Sequence, residues 1–257
     1  MGKIIAITNQ KGGVGKTTST INIAASLAAT KRSVLLVDLD PQGNATSGCG
    51  IDKDEIEYHV FDVLLGEKSA KECLVNAEQA GFYVLPTNSD LAAAEAHLLN
   101  EENKENRLKQ ALAELVNEFD YIFIDCPPSL SILTVNALVA ADSVMIPMQC
   151  EYYALEGLKA LLNTIEQITE HVNPKLEIEG LLRTMYDPRN RLAVEVSNQL
   201  HDHFGDKVYR TAIPRNVRLA EAPSYGMPAL MYDRLSRGAK AYLALAGEML
   251  RREESTA

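Results

Sequence analysis

The fold of this chain is decided by residues 3–18, which read KIIAITNQKGGVGKTT. The first part is a short apolar run rich in β-branched residues, which predicts a strand buried on both faces. The glycines that follow let the backbone turn its N–H groups inward around phosphates, at the start of a helix whose dipole favours anions. A glycine-rich turn alone is a weak signal, but the Gly-Lys-Thr-Thr ending between strand and helix is specific for a phosphate loop.

Two lysines distinguish this loop. Lys16 is expected to reach the β and γ phosphates of a nucleotide, and the Thr17 hydroxyl is expected to hold Mg²⁺. Gln10 stands where the common pattern has glycine, and a second lysine, Lys11, precedes the double glycine. The predicted phosphate-binding residues are Lys11, Gly12, Gly13, Val14, Gly15, Lys16, Thr17 and Thr18.

Short apolar runs alternate with helical patterns along the rest of the chain. Strands are predicted at residues 3–8, 33–38, 82–86, 121–125, 143–147, 176–182 and 208–213. Apolar stripes predict helices around residues 21–28, 108–119 and 192–200, the last closed by Gly205. This alternation predicts an α/β fold with a doubly wound, mainly parallel sheet and helices on both faces. No linker divides the pattern, so residues 1–257 are predicted to form a single domain.

The composition limits the function classes. The chain has 257 residues, of which 46% are hydrophobic and 23% charged, which fits a globular domain with a sizeable core. It excludes collagen, a coiled coil and wholesale disorder, and no apolar run reaches the length of a membrane span. The four cysteines show no paired spacing, which argues against a disulfide framework or a zinc site. We therefore expect a cytoplasmic protein.

The charge is unevenly distributed. The whole chain carries a net charge of −10, but residues 183–240 contain 10 Lys and Arg against 6 Asp and Glu. Arg189 and Arg191 flank the start of a predicted helix, where backbone N–H groups and guanidinium groups together suit a phosphate. Taken alone, such a segment is also typical of a solvated arginine face with internal ion pairs. The candidate DNA-binding residues are Arg189, Arg191, Arg215 and Arg218.

Two aspartates follow predicted strands. Asp40 comes after the strand at 33–38, and Asp125 ends the strand at 121–125. The carboxyl ends of parallel strands form the ligand edge of such a sheet, so both carboxylates should lie near the phosphate loop. One can hold Mg²⁺ and the other can orient the attacking water of a phosphoryl transfer. Aspartates after strands also serve as helix caps and turn formers.

The pattern Lys-Gly-Gly-x-Gly-Lys-Thr-Thr from Lys11 is the deviant Walker A motif, and the chain resembles the ParA-type ATPases, the family of the chromosomal Soj proteins. Residues 37–44 (VDLDPQGN), 124–129 (IDCPPS) and 213–216 (IPRN) carry the resemblance further, and it extends from residue 3 to about residue 250. The resemblance implies a P-loop NTPase fold, ATP hydrolysis, and ATP and Mg²⁺ as cofactors.

The resemblance also implies residue roles. Asp125 belongs with Thr17 in the Mg²⁺ shell, and Asp40 lies at the metal site and orients the attacking water. Asp38 supports the loop and hydrogen-bonds near Lys16. The residues that wall the adenine are Met185, Pro214 and Asn216.

Partners follow from the same resemblance. Lys11 is expected to reach across an ATP-dependent homodimer to the phosphates of the other subunit, much as an arginine finger acts in trans. The dimer is expected to bind duplex DNA without sequence specificity and to be released when a ParB-type centromere-binding protein stimulates hydrolysis. This cycle would drive chromosome or plasmid segregation on the nucleoid.

Three alternatives stay open. A MinD-like membrane switch ends in a basic amphipathic helix, whereas residues 247–257 carry mixed charge with no apolar face beyond Leu250, so no membrane partner is expected. A nitrogenase-type iron protein needs a companion for Cys126, and none is suitably placed. A small-molecule ligase does not need Lys11.

Overall fold

The computed structural model describes residues 2–98 and 101–256. Within them, one sheet has the strand order β3-β4-β2-β5-β1-β6-β7. Its strands are β1 (Lys3–Ile7), β2 (Val34–Asp38), β3 (Val75–Ala77), β4 (Phe82–Leu85), β5 (Tyr121–Asp125), β6 (Ser143–Gln149) and β7 (Glu177–Thr184). All neighbouring strands pair parallel except β3 with β4. The predicted doubly wound, mainly parallel α/β fold is confirmed.

Helices cover both faces of the sheet. They are α1 (Lys16–Ala28), α2 (Asn44–Gly48), α3 (Val60–Leu65), α4 (Leu91–Leu98), α5 (Arg107–Leu112), α6 (Ile132–Ala140), α7 (Ala154–His171), α8 (Arg191–Phe204), α9 (Val217–Glu221), α10 (Ala229–Tyr232) and α11 (Arg237–Thr256). Successive strand residues point to opposite faces, so Ile4 and Ala6 enter one apolar core while Ile5 and Ile7 enter the other. The first core is covered mainly by α3 to α8, and the second mainly by α1 and α11. This double burial explains the near-continuous apolar strands.

The prediction of a strand at residues 208–213 is wrong. This segment forms only isolated bridges at its ends, between Val208 and Leu181 and between Pro214 and Tyr186. Side chains, rather than a strand ladder, satisfy much of its backbone. The buried Arg183 guanidinium donates to the carbonyls of residues 209 and 210 at 2.8 and 2.9 Å. The Glu248 carboxylate accepts from the N–H groups of residues 210 and 211 at 2.8 and 2.9 Å.

Two helix predictions need correction and one strand was missed. The stripe at 108–119 is helical only to Leu112, because the chain continues in turns that still bury Leu115 and Phe119 in the core. Leu192 does not join the buried stripe of α8, because it follows the cap residue Asn190 and remains 41% exposed. Gly205 closes α8 as predicted. The missed strand, β3, is a three-residue edge strand with little apolar pattern.

The C-terminal part of the chain is tied to the phosphate-loop helix. The Tyr242 hydroxyl on α11 lies 3.0 Å from the Ser19 hydroxyl on α1, and both side chains are buried. Near the end of α2, the backbones of Gly50 and Gly226 touch, so a Cβ at Gly226 would lie 2.6 Å from the Gly50 Cα. Among the described residues, no helix combines the length and apolarity needed to cross a bilayer.

Candidate active site

The loop between β1 and α1 contains glycines with open space beside them. Gly13 and Gly15 have φ values of 75° and 88°, a left-handed conformation that glycine adopts without strain. A Cβ at Gly12 or Gly13 would meet no atom within 4 Å, so the space beside these two glycines is open. Lys16 begins α1 directly after Gly15, which places the helix N-terminus at this opening. The geometry fits a phosphate group.

Side chains at the ends of other strands hold the loop in shape. Asn9 donates to the Pro147 carbonyl at 2.8 Å and accepts from the Lys11 N–H at 3.0 Å. Gln149, at the end of β6, donates to the Gly13 carbonyl at 3.0 Å. Thr184, at the end of β7, donates to the Val14 carbonyl at 2.7 Å. Neither Gln149 nor Thr184 was predicted to support the loop, although position at a strand end, which indicated Asp40 and Asp125, applies to them equally.

The two lysines of the loop occupy different environments. Lys16 is buried, and its Nζ lies 3.5 Å from the Lys11 carbonyl. Burial lowers the pKa of Lys16, although the charges of Asp125 and Asp40 oppose this shift. The Lys11 side chain is about half exposed and forms an ion pair with Glu151, just after β6. Lys16 therefore faces the interior of the site, whereas Lys11 lies on its outer rim.

Asp125 is fully buried at the base of the site. Its carboxylate accepts from the Thr17 hydroxyl at 2.7 Å and from the Thr20 hydroxyl at 2.9 Å. Asp38 is its register partner on the neighbouring strand β2 and is also fully buried. Burial raises the pKa of both carboxyl groups, and the charge of Asp38 raises the pKa of Asp125 further. Thr20 was missed, since a threonine inside a helix carries no distinctive sequence signal.

Asp38 and Asp40 organise the segment after β2. Asp38 accepts from the Thr46 N–H and hydroxyl, both at 2.8 Å, and from the Asp40 N–H at 3.2 Å. These bonds fix α2 and the Asp40 turn, and they replace the predicted hydrogen bond near Lys16. Asp40 accepts from the Gln42 N–H at 3.0 Å, and its charge acts on both Lys16 and Asp125. Asp40 therefore combines a turn-forming bond with a position beside the site.

The arrangement fits a magnesium nucleotide. The carboxyl groups of Asp38 and Asp125 are buried and have raised pKa values, so a divalent cation beside them would relieve the repulsion between their charges. Among the described residues, no group of three or more His, Cys, Asp or Glu side chains could hold a metal by itself. A cation near Thr17 and Asp125 therefore needs further oxygen ligands. Mg²⁺ usually takes such ligands from water and from substrate phosphates, and the open loop provides the place for those phosphates.

Of the three residues expected around the adenine, Met185 lies beside the phosphate loop. Met185 has a φ of 49°, which is uncommon for a residue with a side chain, and its Cε is 3.9 Å from where a Gly15 Cβ would lie. Pro214 is bridged to Tyr186, the residue after Met185. The Asn216 side chain caps α9 by accepting from the N–H of Arg218 at 3.1 Å.

The candidate DNA-binding arginines are exposed around the starts of two helices. Arg189 and Arg215 lie on the loops that precede α8 and α9, Arg191 is the first residue of α8, and Arg218 lies in α9. The bridge between Tyr186 and Pro214 joins the two loops. Arg189 forms a two-pronged ion pair with Asp187, with N–O distances of 2.9 and 2.7 Å, which lowers the pKa of Asp187 to about 2. Arg218 pairs with Glu221 at 2.8 Å and with Asp233 at 3.3 Å. Two of the four are thus partly neutralised within the chain.

Comparison with known proteins places the chain among nucleotide-dependent enzymes. A family model described as "AAA domain" matches residues 2–178. The chain is 54% identical to the sporulation initiation inhibitor protein Soj of Bacillus subtilis, over 97% of this chain and 98% of that protein. It is 51% identical to the chromosome partitioning protein ParA of Myxococcus xanthus, over 98% of this chain and 89% of that protein. The chain is also similar to a solved structure described as cobyrinic acid a,c-diamide synthase from Mycobacterium smegmatis with a bound ATP analogue and magnesium. The sequence identity is 40% and the TM-score is 0.87, and the match covers 100% of this chain and 98% of the other.

The parallel sheet, the glycine-rich loop and the two aspartates at its edge define a P-loop ATPase whose phosphate loop carries two lysines. The matches to the two relatives cover 97% and 98% of this chain. The chain belongs to the ParA/Soj family of partitioning ATPases. It is an ATPase, and its cofactors are ATP and Mg²⁺.

Proposed function

We propose that this ATPase is a switch in chromosome or plasmid segregation. Binding of Mg-ATP brings two copies together, and the dimer binds duplex DNA without sequence specificity. A ParB-type centromere-binding protein then stimulates hydrolysis and releases the dimer from the nucleoid. Family membership supports the partitioning role. The main observation that supports a switch is the position of Lys11 on the outer rim of the phosphate loop.

The residues around the loop have complementary tasks in hydrolysis. Lys16 and the loop N–H groups bind the β and γ phosphates, and Thr17 and Asp125 hold Mg²⁺, which neutralises charge that develops in phosphoryl transfer. Asp40 accepts a hydrogen bond from the attacking water and orients it. Asp38 keeps Asp40 in place through its bond to the Asp40 N–H. Met185, Pro214 and Asn216 bind the adenine.

Lys11 lies on the outside of the loop. Its ion pair with Glu151 is solvent-exposed, and such a pair contributes only about 0–1 kcal/mol, so breaking it costs little. Lys16 already occupies the inner position. A lysine on the rim is placed to meet phosphates that approach from outside, as those bound to a second copy do. This placement supports dimerisation around ATP and predicts that hydrolysis needs Lys11 of the other copy.

The arginine face supports contact with DNA phosphates. Arg191 and Arg215 are exposed beside Arg189 and Arg218. Contacts of this kind position a duplex without reading its bases, and they release counterions, so affinity falls steeply with salt. Dimerisation doubles the number of such contacts. A lipid-binding alternative is less well supported, because the apolar face of α11, including Tyr242 and Met249, is buried against the core.

The test is duplex-DNA binding by the purified chain with no nucleotide, with ADP and with ATP, over a salt series. Asp40→Ala is included to hold the ATP state, and dimerisation is measured in parallel. We expect binding only with ATP, without sequence preference. Lys11→Ala should bind ATP but stay monomeric and off DNA, whereas Lys175→Ala, a change of an exposed lysine on another loop, should behave like the wild type. Equal DNA binding in all nucleotide states contradicts the switch.

A further inference from the structure

One side chain joins the phosphate loop to a residue expected beside the adenine. The Gln149 amide nitrogen, at the end of β6, donates to the Gly13 carbonyl at 3.0 Å and to the Met185 sulfur at 3.0 Å. Because a carbonyl oxygen only accepts, the nitrogen of the Gln149 amide and not its oxygen must face Gly13. That nitrogen carries two hydrogens, so it can serve both acceptors. The bond to the loop therefore also sets the contact with Met185.

Met185 has a backbone conformation that needs support. Its φ of 49° lies in the left-handed region, which a residue with a side chain adopts only where its surroundings impose it. Among the described residues, the other non-glycine residues with positive φ are Lys31 and Asn103, and both lie in exposed turns. Met185 is instead half-buried, with its Cε beside Gly15 of the loop. Strained residues of this kind are typical of ligand sites.

The neighbouring strand end makes only part of the same connection. Thr184 is the register partner of Gln149 on β7 and donates to the Val14 carbonyl at 2.7 Å. Two adjacent strand ends thus bind two successive carbonyls of the phosphate loop. The Thr184 hydroxyl bonds to the loop alone, whereas the Gln149 amide bonds to the loop and to Met185. Thr184 can hold the loop, but Gln149 can also make the shape of the loop depend on what Met185 contacts.

We propose that Gln149 is a positioning residue that couples the base of the bound nucleotide to the phosphate loop. A base that packs against Met185 holds the Met185 sulfur beside the Gln149 amide. The amide in turn holds the Gly13 carbonyl, so that the loop keeps the shape that binds phosphates. The base then strengthens phosphate binding through the protein as well as through its own contacts. This inference rests on the adenine contact of Met185 in the proposed function.

The affinities for Mg-ADP and Mg-pyrophosphate separate this role from plain support of the loop, because pyrophosphate has two phosphates but no base. Calorimetric titration gives the ADP advantage, the dissociation constant of pyrophosphate divided by that of ADP. Gln149→Leu keeps the approximate size of the side chain and removes its donors. The variant loses the loop bond for both ligands but the link to Met185 for ADP only. We expect the ADP advantage to fall about fivefold or more.

Thr184→Val is the matched control. It removes the donor to the Val14 carbonyl and leaves the Gln149 amide in place, so it should weaken ADP and pyrophosphate by the same factor and leave the ADP advantage unchanged.

Met185→Leu tests the link from its other end, because it removes the sulfur at similar volume. It should lower the ADP advantage in the wild-type background. In the Gln149→Leu background it should change that ratio by less than about twofold, because both substitutions break the same link.

The outcomes distinguish this inference from the proposed function. If the wild type binds ADP no more tightly than pyrophosphate, the adenine contacts of the proposed function fail, and the coupling fails with them. If the wild type shows an ADP advantage but Gln149→Leu weakens both ligands by the same factor, or abolishes both, the adenine contacts stand and Gln149 only supports the loop. Additive losses in the double variant also overturn the coupling. A smaller ADP advantage in Gln149→Leu, unchanged in Thr184→Val and not additive with Met185→Leu, supports the inference.

Discussion

Arg183→Met tests how the segment after β7 is held beside the active site. The Arg183 guanidinium is buried and donates to the Ser197 hydroxyl at 2.8 Å and to two carbonyls of the 208–213 segment. That segment leads directly into Pro214 and Asn216, the predicted adenine contacts. Methionine approximates the length of the arginine stem but donates nothing. The substitution therefore leaves two buried acceptors and one partly buried acceptor without their donors.

The expected loss of stability follows from these contacts. Each buried acceptor left unpaired costs about 1–3 kcal/mol. Part of this cost is offset, because the variant no longer buries a charged guanidinium, and arginine is weakly hydrated compared with lysine. We expect a net decrease of about 2 kcal/mol in the free energy of unfolding, which corresponds to a fall of about 4–8 °C in melting temperature for a chain of this size. Loosening of the adenine segment should also weaken ADP binding about tenfold.

Urea denaturation and calorimetric titration with Mg-ADP measure the two effects. Arg210→Met is the control: its side chain is exposed, although its backbone is part of the same segment, so its stability should change by no more than about 0.5 kcal/mol. If Arg183→Met is as stable as the wild type and binds ADP equally well, the side-chain clamp does not hold this segment and the reasoning is refuted.

Three other perturbations test separate features. Asp187→Asn should free Arg189 and strengthen DNA binding, with the salt dependence steeper by about 0.9 per added phosphate contact; an unchanged slope would mean that Arg189 does not touch DNA. Gly226→Ala should cost at least about 2 kcal/mol more than Gly81→Ala in urea denaturation, because both have positive φ values but only the first would collide with backbone; equal costs contradict the close contact. Burial raises the pKa of every cysteine, that of Cys150 to about 11, so a thiol reagent at pH 8 should label the native chain negligibly and faster as pH rises; rapid labelling of native protein at pH 8 would overturn this.

The sheet could be predicted from the sequence because its strands are buried on both faces and read as apolar runs. Six of the predicted strand positions hold, with their ends shifted by at most two residues. The seventh, at 208–213, has the same apolar and β-branched composition. Much of its backbone is paired by the side chains of Arg183 and Glu248, which lie 25 or more residues away in the chain. The composition of a segment indicates that it is buried, but it does not indicate which groups form hydrogen bonds with its backbone N–H and C=O groups.

Only part of the candidate active site could likewise be predicted from the sequence. The phosphate loop and the strand-end aspartates could be predicted from the sequence, because spacing along the chain and the geometry of a parallel sheet fix their positions. The ion pair of Lys11 with Glu151 could not be predicted, because it joins residues 140 positions apart and depends on how their side chains are oriented.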